Sequence, residues 1–190
     1  MDRRIDMWRS WLVNALTTYR HRYPEETTTI EAMMEFIMDE PGCFDRATIK
    51  GHLTGSAWLV DPSHQSVLLT HHRKLNRWLQ LGGHADGEGN LLAVALTEAR
   101  EESGIDHVVP ISAEIFDVDI HPIPARGQDP EHLHYDVRFL VQAMHTQHVV
   151  SEESHDLAWV HADAIDTYTT EPSMQRMSMK WRHLLGSSHV

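Results

Sequence analysis

Cysteine is almost absent from this chain, which contains Cys43 and no other in 190 residues. A single thiol cannot form an intramolecular disulfide, so the disulfide-rich secreted class is excluded. Residues 1–12 contain no apolar run long enough for a signal peptide or a membrane span. Both features favour a reducing compartment, and the expected location is the cytoplasm.

Basic residues are scarce as well. Sixteen Lys and Arg stand against 28 Asp and Glu, which gives a net charge of −12 with neutral histidines. Such a charge repels a polyanion, so neither nucleic acid nor a membrane is expected as a partner. A small phosphate-containing molecule is compatible with an acidic chain, because bound divalent cations reverse the sign of the charge locally.

The first 48 residues have a helical pattern. Amphipathic helices are predicted at 5–21 and at about 26–38, each with apolar residues on one side. We therefore assign residues 1–48 to an N-terminal helical extension. It is expected to pack on the core, and a homodimer surface is the alternative.

Residues 49–190 are predicted to form one α/β domain, since repeats and low-complexity linkers are lacking and the length suits one core. From His52 the sequence shows strand-like alternation, beginning with a hairpin around Asp61-Pro62. One helix, ending at Gly104, interrupts the strands. A last helix is predicted at 171–185.

The segment from Gly82 to Ile105 combines a glycine-rich loop with that interrupting helix. Glu98, Glu101 and Glu102 fall at i, i+3 and i+4 and so lie on one face of the helix. Carboxylates this close repel one another unless a cation lies among them, and hard divalent cations such as Mg²⁺ or Mn²⁺ take oxygen ligands. A solvated acidic face is the alternative.

This segment resembles the Nudix box, written G-x5-E-x7-R-E-U-x-E-E-x-G-U with U aliphatic. The residues that match are Gly83, Glu98, Ala99, Glu101, Glu102, Gly104 and Ile105. Gly89 stands where the box has its first glutamate, and Thr97 stands where it has arginine. Glu88, one residue early, is a candidate substitute for that glutamate.

The resemblance implies the Nudix fold, an α/β/α sandwich with a mixed sheet. It also implies a metal-dependent hydrolase that cleaves a phosphoanhydride bond in a nucleoside diphosphate derivative. Glu98, Glu101 and Glu102 would then bind Mg²⁺ or Mn²⁺ and carry the catalysis. Because two box positions differ, a non-catalytic Nudix domain that binds a nucleotide as a sensor is the alternative.

Residues on either side of the glycines are candidates for substrate binding. Arg73 and Arg77 precede the glycine loop and are interpreted, with Gly83, as binding the substrate phosphates; a solvated basic turn is the alternative. Three side chains are candidates for an additional base: His121, Glu152 and Glu153.

Histidine is abundant, with 16 residues. In a strand, His132 and His134 point to the same side about 7 Å apart, near enough to share a metal ion. His84 follows the two glycines of the loop, and His52 begins the first core strand. The alternative is that these histidines hydrogen-bond to the backbone or bind substrate phosphate.

The histidine pattern is similar to the metal site of isopentenyl diphosphate isomerase, a member of the same superfamily. His84 matches its loop histidine, His52 matches its strand histidine, and His132 and His134 fall where it has a Glu-x-Glu pair. The similarity implies a second metal centre, in which imidazole favours Zn²⁺, Fe²⁺, Mn²⁺ or Ni²⁺ over Mg²⁺. An isomerase-like enzyme is a further alternative, although Gly82 replaces its catalytic cysteine.

Overall fold

The structure is a computed structural model that describes residues 3–125, 127, 130–151 and 154–187. Glu152 and Glu153, two candidates for an additional base, lie outside the described residues. The helices are α1 (Arg3–Arg22), α2 (Thr27–Asp39), α3 (Leu91–Ser103), α4 (Ile165–Tyr168) and α5 (Pro172–Ser187). The strands are β1 (Gly51–Val60), β2 (Ser66–His72), β3 (Arg77–Leu79), β4 (Leu81–His84), β5 (Val108–Pro110), β6 (Asp117–Ile123), β7 (His132–Ala143) and β8 (Ser154–His161).

All of these strands join one mixed sheet, in which β1 is central. It runs parallel to β7 from the pair Gly51 and Leu133 to the pair Val60 and Gln142. On its other side β1 pairs antiparallel with β2 and with β4, while β5 and β6 pair antiparallel with β7. The predicted hairpin of β1 and β2 and the predicted mixed sheet are confirmed.

Helices cover both faces of the sheet and form an α/β/α sandwich. Leu53 and Ala57 of β1 face a core built with α1, α2 and α3. Trp58 and Val60 face the opposite core, where Met177 of α5 packs. Side chains of a strand alternate between faces, so this division follows from even and odd positions along β1. None of the helices in the described part of the chain combines the length and apolarity needed to cross a membrane.

The N-terminal helices share the first of these cores. Leu12 and Leu16 of α1 and Ile37 of α2 are fully buried in the same cluster as Leu53. Arg9 of α1 also donates hydrogen bonds to carbonyl groups at the end of α2, including one of 2.8 Å to Met38 O. These helices therefore pack on the sheet, while the division into an extension of residues 1–48 and a domain of residues 49–190 stays a prediction.

Three details differ from the predictions. The short strand β5 was not predicted. The sequence pattern predicts Leu184 on the buried side of the last helix, together with Met174, Met177 and Trp181. It is 41% exposed, and Leu185 packs against the core instead. On α3 the sequence predicts an apolar stripe of Leu92, Ala95, Leu96 and Ala99, but Leu91 and Val94, which lie outside it, are buried as well.

Candidate functional site

The glutamates lie on α3, whose two ends have well-defined caps. Asn90 Oδ1 accepts a hydrogen bond of 3.2 Å from Ala93 N, as an N-cap side chain does. At the other end Gly104 has a φ of 68°, a conformation that glycine adopts without strain, and its N–H donates to Arg100 O. The predicted helix end at Gly104 is confirmed.

Two of the three glutamates lie against β4. Glu102 Oε1 accepts a hydrogen bond of 2.8 Å from Gly82 N. At Gly83, a Cβ atom would lie 2.7 Å from Glu98 Oε2, so a larger residue there would overlap this carboxylate. Glu101, in contrast, is exposed. The structure thus brings Glu98 and Glu102 together at a strand segment without side chains.

The predicted histidines also come together, because strand pairing aligns them. In the sheet register His52 of β1 lies beside His134 of β7, and His134 lies beside His121 of β6. The ring centroids of His52 lie 5.0 Å from those of His84 and His132 and 4.8 Å from that of His134. We call His52, His84, His132 and His134 the histidine cluster.

Burial keeps the centre of the histidine cluster neutral. His52 is 2% exposed, and neither of its ring nitrogens has a hydrogen-bond partner within the described residues; the same holds for His134 Nε2. Burial, and then the neighbouring imidazoles, lower the pKa of His52 to about 4 and that of His134 to about 3. Neutral imidazole is the form that binds metal ions.

The arrangement of nitrogens suits a transition metal. One nitrogen from each of His52, His132 and His134 lies within 4.8 Å of the other two. Nitrogens around a tetrahedral zinc ion are about 3.4 Å apart, so small ring rotations close the difference. The buried nitrogens of His52 and His134 that lack a partner within the described residues fit such an ion.

The two clusters lie on opposite faces of β4. Gly83 and His84 are successive residues of this strand, so their Cβ directions point to opposite sides of the sheet. The carboxylate of Glu98 lies beside Gly83 on one face. The ring of His84 joins the other members of the histidine cluster on the opposite face. β4 therefore separates the carboxylates from the imidazoles while holding both close to the same glycines.

His121, predicted as a possible base, lies at the edge of the histidine cluster. Its ring centroid is 5.5 Å from that of His134, and its Nδ1 is 3.1 Å from Asp119 Oδ2. The carboxylate of Asp119 thus fixes the orientation of the ring. The sequence analysis did not single out Asp119, although strand alternation places it on the same face of β6 as His121, two residues later.

The two predicted phosphate-binding arginines are exposed and lie on the β2–β3 hairpin side of the sheet. Arg77 Nη1 forms an ion pair of 2.6 Å with Glu171, just before α5. Arg73 Nη2 donates to Ser154 O at 3.2 Å. Their role in binding substrate stays a prediction.

Trp8 of α1 explains why position 89 holds glycine. A Cβ atom at the buried Gly89 would lie 2.6 Å from both Cβ and Cγ of Trp8. The first glutamate of the box would need this space. The exposed carboxylate of Glu88 does not fill this space. It accepts a hydrogen bond of 2.8 Å from Asn90 N.

Acid is expected to destabilise the metal-free protein through the imidazoles of His52 and His134. Their folded-state pKa values of about 4 and about 3 lie below the ordinary 6.5, so below pH 6.5 the unfolded chain binds more protons. The free energy of unfolding therefore falls as the pH drops through 6.5 towards 4. Two imidazoles contribute at most about 2.7 kcal/mol per pH unit, at about 1.36 kcal/mol each.

Urea unfolding in EDTA at pH 7 and at pH 5 measures this loss. A His52→Gln/His134→Gln variant should lose less stability between the two pH values than the wild type. Replacement of the exposed His107 by Gln should leave the wild-type loss unchanged. Equal losses in the wild type and the double variant would contradict the assignment.

The family model for the NUDIX domain matches residues 51–181, more than half of the chain. No curated protein sequence matches the chain. Among solved structures, a C. elegans Ap4A hydrolase in a binary complex superimposes with a TM-score of 0.57 at 14% identity, covering 71% of this chain and 98% of its own.

Two other structures are similar to the same extent. The M. smegmatis Nudix hydrolase RenU has a TM-score of 0.53 at 18% identity and covers 74% of this chain and 89% of its own. The MutT protein from Methanosarcina mazei Go1 has a TM-score of 0.53 at 16% identity and covers 73% and 97%. At such identities the likeness concerns the fold, and it confirms the predicted α/β/α architecture.

Proposed function

Since this chain belongs to the Nudix hydrolase family, we propose that it is a metal-dependent enzyme that cleaves a phosphoanhydride bond in a nucleoside diphosphate derivative. One observation carries the proposal: the carboxylates of Glu98 and Glu102 meet the backbone of Gly82 and Gly83. Carboxylates that converge beside a strand segment without side chains offer oxygen ligands to a hard divalent cation, which in turn attracts a phosphate.

Oxygen donors fit the proposed ion, and Glu98, Glu101 and Glu102 would hold it. Bound there, Mg²⁺ or Mn²⁺ supplies positive charge that stabilises the phosphoryl oxygens and lowers the pKa of a nearby water. One of the glutamates accepts the proton of the attacking water. Gly83 is proposed to contribute to phosphate binding through its backbone, because the Glu98 carboxylate fills its side-chain position.

Arg73 and Arg77 are proposed to bind terminal phosphates of the substrate. Both are exposed and lie on the hairpin that leads into β4. Arg77 would exchange its ion pair with Glu171 for a phosphate, since a guanidinium binds either anion through the same planar donors. The single, buried Cys43 is consistent with the proposed cytoplasmic location.

The histidine cluster is proposed to hold a second metal ion, of the transition-metal class. Within the described part of the chain, both ring nitrogens of His52 and Nε2 of His134 lack a hydrogen-bond partner. This supports the proposal, because buried polar atoms in folded proteins otherwise find a partner. Imidazole donors favour Zn²⁺, Fe²⁺, Mn²⁺ or Ni²⁺ over Mg²⁺. This ion would lie across β4 from the glutamates.

The hydrolase is tested by incubation with Mg²⁺ or Mn²⁺ and a panel of nucleoside polyphosphates, ADP-ribose and nucleotide sugars, with phosphate and pyrophosphate release as the readout. The Glu101→Gln/Glu102→Gln variant serves as the blank. Turnover by the wild type that disappears in this variant would support the proposal. Turnover that persists in the variant would count against it. So would the absence of phosphate or pyrophosphate release from every panel member when the protein is folded.

The second metal ion is tested separately with Co²⁺, whose visible absorption reports imidazole coordination. We expect about one Co²⁺ per chain to bind with this signature in the wild type and in the Glu101→Gln/Glu102→Gln variant. The His52→Gln/His134→Gln variant should lose it. Retention of the signature in the histidine variant would refute the site.

A nucleotide sensor is the second candidate function, and the contact of Trp8 with Gly89 favours it. This contact removes the position of the first box glutamate, which a binding module needs less than a hydrolase does. A sensor would raise its melting temperature with a nucleotide that it does not consume. The isomerase-like alternative loses support, because a side chain at Gly82 would overlap Ser56.

A further inference from the structure

Arg46 lies in the turn between α2 and β1, which is fixed to the glycine loop by its backbone. Gly87 N donates a hydrogen bond of 2.8 Å to Phe44 O, two residues before Arg46. Leu53 N donates one of 2.7 Å to Cys43 O. The N-terminal extension is thereby held against the loop that connects His84 to α3, so its position relative to both proposed metal sites is fixed.

The side chain of Arg46 forms a two-pronged ion pair with Asp86 of that loop. Its Nε and Nη2 donate to Oδ1 and Oδ2 of the carboxylate. Asp86 and Gly87 have φ values of 48° and 86°, and Glu88 N donates to Ala85 O at 2.8 Å, which is a type I′ turn. Aspartate tolerates this conformation, and the turn directs its carboxylate at the guanidinium.

Arg46 keeps donors for a further anion. A guanidinium has five N–H groups, and the ion pair uses two of them. The other three have no hydrogen-bond acceptor among the described residues. The side chain is 58% exposed, so these donors face solvent at the edge of the loop.

The charge of Arg46 interacts with Glu98 of the glutamate site and with His52 of the histidine cluster. The pKa of Arg46 is raised, chiefly by its hydrogen bond with Asp86, and the carboxylate of Glu98 contributes to this. The pKa of His52 is lowered chiefly by burial, and the charge of Arg46 contributes there. Arg46 therefore lies within electrostatic reach of the glutamate site and of the histidine cluster.

We propose that Arg46 binds a phosphate group of the substrate, with Asp86 orienting its guanidinium. This inference rests on the proposed hydrolase function and adds to it a residue from the N-terminal extension. An exposed ion pair contributes little to the free energy of unfolding. If the pair of Arg46 and Asp86 had only a structural role, its removal would therefore change little. A fixed guanidinium with three outward donors suits a phosphate, which accepts several hydrogen bonds from one arginine.

The test measures binding of inorganic pyrophosphate with Mg²⁺ by isothermal titration calorimetry. Arg46→Ala should raise the Kd about 10- to 100-fold, because it removes charge-assisted hydrogen bonds. Arg46→Lys should recover part of the affinity, since it restores the charge without the planar fork. Arg20→Ala is the matched control, because Arg20 also forms an exposed ion pair, of 3.1 Å with Glu31, on the N-terminal helices.

The outcomes separate this inference from the proposed function. If the wild type binds pyrophosphate and Arg46→Ala binds it as tightly as Arg20→Ala does, the role of Arg46 is refuted while the hydrolase proposal stands. If the folded wild type neither binds pyrophosphate nor hydrolyses any member of the substrate panel, the proposed function fails, and the role of Arg46 fails with it. Equal melting temperatures of the variants confirm that the fold is intact.

Discussion

Glu102→Gln is expected to lower kcat/KM for phosphoanhydride hydrolysis on the order of 100- to 1,000-fold. A cation at phosphoryl oxygens contributes several kcal/mol of transition-state stabilisation, and each 1.36 kcal/mol corresponds to a factor of ten. The glutamine keeps the shape of the side chain, and its carbonyl oxygen can still accept the hydrogen bond from Gly82 N. The loss therefore reports the missing charge. Steady-state kinetics with the substrate identified in the panel measures it.

Glu88→Gln is the control for this prediction. Glu88 is the candidate substitute for the first box glutamate, and it is exposed with its carboxylate bound to Asn90 N. A glutamine oxygen can accept the same hydrogen bond, so kcat/KM should change less than about threefold. A large loss in Glu88→Gln, or activity within tenfold of the wild type in Glu102→Gln, would contradict the assignment of the glutamates.

The features that the sequence predicted correctly depend on local periodicity. Alternation placed His132 and His134 on one face of β7, and the i, i+4 spacing placed Glu98 and Glu102 on one face of α3. Both predictions hold in the structure because the face on which a side chain lies depends only on the type of secondary structure. The short strand β5, with three residues, has no period to detect.

Other features depend on contacts between distant segments. Arg46 and Asp86 are 40 residues apart, and no local pattern links an arginine in one turn to an aspartate in another. The contact of Trp8 with Gly89 likewise requires α1 to pack on the loop. The sequence therefore shows that the first box glutamate is missing, whereas only the structure shows that Trp8 fills its space.

The alignment of His121 with His134 also required tertiary information. Alternation predicted that each histidine points to one face of its strand, but it did not fix the register between β6 and β7. The antiparallel pairing sets this register and places the two imidazoles side by side. A shift by one residue would turn His121 to the opposite face.

Asp117 is the centre of a buried network of charges that joins three parts of the fold. Its carboxylate, which is fully buried, accepts hydrogen bonds from Arg138 of β7 at 2.9 Å, and from Arg176 and Lys180 of α5 at 2.8 Å and 2.6 Å. Lys180 in turn pairs with Glu26, which follows α1. The network thus links the sheet, the last helix and the N-terminal extension.

Asp117→Asn is expected to lower the free energy of unfolding by about 3–5 kcal/mol, because it leaves buried cations without their shared anion. Urea unfolding at pH 7 measures the change. Asp166→Asn is the matched control: Asp166 is 60% exposed and lies 3.7 Å from Arg182, so its loss should cost less than about 1 kcal/mol. A loss below 1 kcal/mol in Asp117→Asn would show that the charge of this carboxylate is not needed for stability. The network would then be a consequence of packing between α5 and the sheet, with hydrophobic contacts such as those of Met177 and Trp181 holding the helix in place.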